Sequence, residues 1–141
     1  MVEVGILADL SQGSDEVCLA ACRTLRAPKA KTEAAHLKPL FARVRTDTEP
    51  ELLSACLETI HRTVRQGRYA YSGAKRNDMC AHLGRVHEVL LRVFGAGGAR
   101  FNGDLYAVLV LRDYARRYEY ATALLVDAVA TPCFSRLVSH G

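Results

Sequence analysis

The chain has 141 residues, half of them hydrophobic and 24% charged, with a formal net charge of +4 at neutral pH. That length predicts one hydrophobic core, large enough to fold without disulfides or a metal, and the composition is unlike that of disordered chains. No apolar run reaches the roughly 20 residues of a membrane span. No membrane insertion is therefore expected, and the acidic start, Met1–Leu10, is unlike a basic targeting peptide. The expected location is cytoplasmic or nuclear.

The predicted organisation is a single helical domain over 1–141, with residues 1–13 allowed as an irregular N-terminal arm. Ser14, followed by Asp15 and Glu16, has the chemistry of a helix N-cap and first turn. Val17, Cys18, Ala21, Cys22 and Leu25 then recur at helical spacing, and Pro28 ends the run. From Thr32 to Arg45 the pattern predicts a short turn and a second start near Pro39, with Leu37, Leu40, Phe41 and Val44 inward. Thr48 and Glu51 read as a capping box with Pro50 in the first turn. Behind it, Leu52, Leu53, Cys56, Leu57, Ile60 and Val64 form one apolar face, and Gly67 supplies the stop.

A loop over 68–73 leads to a fourth helix, on which Met79, Leu83, Val86, Leu90 and Val93 make a core stripe. Gly95–Gly98 ends it. This glycine run lacks the preceding strand and the lysine of a phosphate-binding loop. Asn102, Gly103 and Asp104 are expected to cap the next segment, Leu105 to Arg117. Its centre, 105–111, is apolar on every side, so it fits a buried strand or a central helix; its length favours the helix. A sixth helix, Glu119 to Val129, should turn Leu124, Leu125, Ala128 and Val129 inward, and Cys133 to Val138 are expected to add a turn. The fold class is all-α: about six helices in antiparallel hairpins, as a bundle or a short helical-repeat stack.

Chemistry is sparse. Cys18 and Cys22 share a helix face, and Cys80, His82 and His87 lie on another helix, but the spacing matches no common zinc module. Free, buried thiols are the expectation, with no metal and no cofactor. No nucleophile motif is present, so the chain is not expected to be an enzyme; catalysis by a Cys or a His is the last-ranked alternative.

The six tyrosines fall in two clusters with basic residues. One runs from Arg65 to Arg76 and the other from Tyr106 to Tyr120. Tyr and Arg are enriched as interface anchors, which points to a partner protein or a homo-oligomer held by Tyr69, Tyr71, Tyr114, Arg117 and Tyr118. The same mixture suits single-stranded RNA, with Arg68, Lys75, Arg76, Arg112, Arg116 and Arg117 on phosphates. The plain alternative is that Tyr edges the core and Arg solvates helix ends. The stretch Arg100-Phe101-Asn102-Gly103-Asp104-Leu105-Tyr106, continuing to Leu111, resembles the conserved-helix region of MIF4G-type helical-repeat domains over about a dozen residues. That resemblance implies the RNA or translation-factor alternative and assigns no residue a role.

Overall fold

The computed structural model describes residues 4–67, 76–94 and 102–130, and among these every regular element is helical. The α-helices are α1 (Val4–Gln12), α2 (Asp15–Leu25), α3 (Leu37–Ala42), α4 (Pro50–Arg65), α5 (Arg76–Val89), α6 (Gly103–Ala115) and α7 (Glu119–Ala130). A 3-10 turn, Ala34–His36, leads into α3, and a π-helical turn, Leu90–Phe94, extends α5. The all-α expectation holds, with seven described helices where the sequence pattern predicted six.

The added helix is α1, which replaces the irregular arm allowed for residues 1–13. It is held because Leu10 is wholly buried and because Arg43 donates to the Leu10 carbonyl at 2.9 Å and the Gly13 carbonyl at 2.7 Å. These bonds satisfy carbonyls that a helix end would otherwise leave open. The Ser14 cap forms as expected, its Oγ accepting from the Val17 amide at 3.3 Å. The Thr48–Glu51 capping box does not form: Thr48 Oγ1 instead donates to the Arg43 carbonyl at 2.7 Å, and Glu49 is the N-cap residue. A reciprocal cap appears at Glu33, whose amide donates to His36 Nδ1 at 2.9 Å.

Helices α4 and α6 pack most extensively against each other, and α7 covers α6 next. Helices α2 and α3 lie on other sides of α4, α5 closes against α6 and α7, and α1 rests on α2 and α3. The centre of the core is therefore α4, which after its first turn is buried nearly all round. Its Thr59 and Thr63 hydroxyls donate to carbonyls one turn back, at 2.7 and 2.8 Å, so they enter the core already satisfied.

The ambiguous segment 105–111 is helical, turning Ala107, Val110, Leu111 and Tyr114 inward. Asn102 does not cap it by its side chain; its backbone is left-handed, with φ of 58°, a region asparagine tolerates better than most residues. Gly103 next to it touches α4 so closely that an added Cβ would collide with Phe94 and Ser54 Oγ. On α5, Met79, Leu83, Val86 and Leu90 are buried as expected, but Phe94, and not Val93, takes the last inward position. Among the described side chains of α7, Ala121 and Ala128 are the buried ones, while Leu124 and Leu125 are half-buried. The Gly95–Gly98 stop, the Val129 side chain and the turn at Cys133–Val138 lie outside the described residues.

Candidate functional site

The second tyrosine and arginine cluster spans the α6–α7 corner. Tyr114 is completely buried there, its ring 5.8 Å from that of Phe41 and 6.1 Å from that of Tyr118. This corrects its assignment as a partner-binding residue: its place in the helical stripe Ala107–Val110–Leu111–Tyr114 points it into the core. Tyr118 is half-buried over it, and Arg112, Arg116 and Arg117 are exposed. Arg76 is exposed at the start of α5. Tyr69, Tyr71, Arg68 and Lys75 lie outside the described residues, so the first cluster and the second are not placed relative to each other.

Two surface residues outside the expected anchor set are Tyr120, at the end of the second tyrosine cluster, and Val126, 43% and 61% exposed on α7. Ala123 and Ala130 are exposed on the same outward side. The signal for them was the largely apolar character of 120–130, interrupted by Thr122 and Asp127 and too broad to be buried on one face only. Asp127 accepts a hydrogen bond from His87 Nε2 at 2.7 Å, tying α7 to α5.

A cleft of about 550 Å³ opens beside α4, lined by Glu58, His61, Arg62, Arg65, Gln66 and Tyr106. His61 Nδ1 is hydrogen-bonded to Asp113 from α6, which orients the ring. This pair is the nearest feature to the His-based enzyme alternative. The charged groups around it are engaged structurally. Arg26 donates to Glu58 at 2.7 Å, and Arg62 donates to the Arg26 and Ala27 carbonyls at the end of α2. Tyr106 is pushed toward a higher pKa by burial and then by the Glu58 carboxylate.

The third constellation was half legible. Cys18 and Cys22 do share a face of α2, but they meet Cys56 of α4, and not Cys80, His82 or His87. The three sulfurs lie within 4.8 Å of one another and all three residues are buried; Cys22 and Cys56 Sγ are 4.0 Å apart. Cys18 Sγ also faces the Leu10 carbonyl at 3.7 Å, the same oxygen that accepts from Arg43. Thiol hydrogen bonds from Cys22 and then Cys56 hold Cys18 well below the ordinary thiol range, and the Arg43 charge adds to this. Cys22 and Cys56 are pushed up, chiefly by their hydrogen bonding with Cys18. His82 is spent elsewhere, stacked on Phe41 with ring centroids 5.1 Å apart.

No family model, curated protein or solved structure matches this chain.

Proposed function

We propose that the chain is a non-enzymatic helical interaction domain that holds a partner protein on the edge formed by α7 and the end of α6. The observation that carries this reading is the outward side of α7, where Val126 is 61% exposed and Tyr120 43% exposed. Exposed Ala123 and Ala130 between and beyond them leave shallow grooves into which the ridges of a partner helix can pack. Tyr118 and Arg117 border this surface, and with Arg116 they favour a partner whose apolar stripe is flanked by acidic residues. Tyr69 and Tyr71 remain candidates for the same role. Unpaired thiols support a cytoplasmic or nuclear location.

The test is affinity capture with the natural chain and with Val126→Asp, alongside light scattering for self-association. A stoichiometric partner, or a dimer, that is lost in the variant while helicity is retained supports the reading. A chain that stays monomeric and holds the same proteins in both forms sinks it.

RNA is the second reading, favoured by exposed Arg112 on α6 and Arg116 at its C-cap, four residues apart, with Arg117 beside them. Such a row suits successive phosphates. Binding of labelled single-stranded RNA that weakens steeply with salt, and weakens further in Arg112→Ala/Arg116→Ala, would select it over a protein partner.

A further inference from the structure

We propose that Cys18, Cys22 and Cys56 form a three-sulfur site for one soft d10 metal cation. Helix α2 presents two sulfurs from one face, one turn apart, and the crossing with α4 brings the third. A cation about 2.3 Å from each sulfur of a trigonal set holds the sulfurs about 4.0 Å apart. Cys22 and Cys56 Sγ already stand at 4.0 Å, and all three sulfurs lie within 4.8 Å of one another. Binding therefore requires small rotations of Cys18 and no movement of a helix.

The donor set selects the metal. Three sulfurs with no oxygen donor disfavour calcium and magnesium, which take oxygen ligands, and favour soft cations such as Cu(I), Zn(II) or Cd(II). Among the described residues no histidine, carboxylate or fourth cysteine joins the cluster. The three residues are wholly buried, so bulk water does not complete the coordination either. That composition suits an ion content with three ligands.

Charge is compensated by Arg43, which shares the Leu10 carbonyl with Cys18 and is fixed by the Gly13 carbonyl. A divalent cation with three thiolates carries −1 opposite the Arg43 cation, whose other ion-pair partner is the exposed Asp15 at 3.7 Å; the thiol protons that remain pass to the solvent. A monovalent cation reaches the same charge with two thiolates and one retained thiol, releasing one proton fewer. No electron is transferred in either case. Proton release per metal therefore distinguishes the two sources of the same chemistry.

The experiment uses the whole chain, kept reduced with a phosphine, titrated with Cd(II) and separately with Cu(I) buffered by bathocuproine disulfonate. The expected result is one equivalent bound, read for Cd(II) as an ultraviolet thiolate-to-metal charge-transfer band. For Cu(I) it is read as loss of the coloured chelate. A weakly buffered indicator should record one more proton per Cd(II) than per Cu(I). The loaded and metal-free chains are then alkylated in parallel at a urea concentration that opens the metal-free chain, fully unfolded, labelled with a second reagent and mapped by mass spectrometry. Protection by metal confined to Cys18, Cys22 and Cys56, with Cys80 still reactive, supports the site without any substitution that risks unfolding. Absence of binding with both ions, or a protected set that omits any of the three, overturns the proposal. So does an unchanged charge-transfer band in a folded Cys22→Ala/Cys56→Ala variant.

Discussion

Gly103 shows how one position couples three elements. Its bare Cα lets the start of α6 lie against Ser54 on α4 and against Phe94 in the π-helical turn. A methyl group there has nowhere to go, because two of its neighbours belong to different buried helices. Gly103→Ala is expected to cost about 1–3 kcal/mol, the usual range for overpacking a close contact. Urea unfolding should show a lower midpoint with an unchanged slope. Glycine in the middle of a long segment reads from sequence only as a break; that this one marks a close approach depends on Phe94, nine residues earlier in the chain.

His82 shows the residue scale for charge. Burial, then the Arg85 cation, lower its pKa from 6.5 to about 4, with Asp78 opposing. Arg85 can only donate, so Nδ1 of His82, its partner, accepts and the ring is neutral. The unfolded ring binds a proton near pH 6.5 and the folded ring does so only near 4, so below 6.5 the unfolded state carries more protons. Stability from this group is complete above pH 6.5 and is lost as the pH falls toward 4. His36 adds a loss of the same sign, its pKa lowered by burial against the opposing Glu33 charge. Thermal melts across this window should show the midpoint falling with pH. His82→Phe, which keeps a ring over Phe41, should flatten part of that dependence; an unchanged profile would show that His82 does not titrate this way.

At the scale of elements, α4 and α7 are mirror cases of one rule. On α4 the letters suggest a single apolar face, with Ser54, Thr59 and Thr63 outward. These residues are instead buried, and their hydroxyls bond to Pro50, Ala55 and Thr59 carbonyls one turn back. A hydroxyl satisfied within its own helix loses most of its cost of burial. Thr59→Val should therefore change stability by less than about 1.5 kcal/mol, whereas Thr59→Asp should unfold the chain. On α7 the opposite holds: apart from Glu119, Thr122 and Asp127 the segment is apolar, yet only Ala121 and Ala128 are fully buried among its described side chains. Val126→Asp should leave the melting temperature within a degree or two, since surface changes move stability by about ±0.5 kcal/mol. It should weaken partner binding by about tenfold or more, as expected for loss of an anchor worth roughly 1.4 kcal/mol or above.

For the whole molecule, the helical class, the positions of the described breaks and most of the core were legible because they rest on local chemistry. The Ser14 cap, the proline at the start of α4 and the apolar stripes of α2, α3, α5 and α6 each involve residues within a few turns of one another. Helix α1 was not legible, since its docking depends on Arg43, some thirty residues away, reaching back to two of its end carbonyls. Tyr114 was read as a surface anchor because residue type was weighed above register, and register placed it beneath Phe41.

The chain by itself determined that helices form and which of their residues are apolar enough to be covered. Only the tertiary structure decided which helix is central, which apolar side is left outward, and which cysteines meet. The physical reason is reach: caps and periodicity act over a single turn, whereas the meeting of Cys18 and Cys22 with Cys56 follows from how α2 crosses α4. That crossing is set by the sum of many side-chain contacts across the core, none of which is local in the sequence.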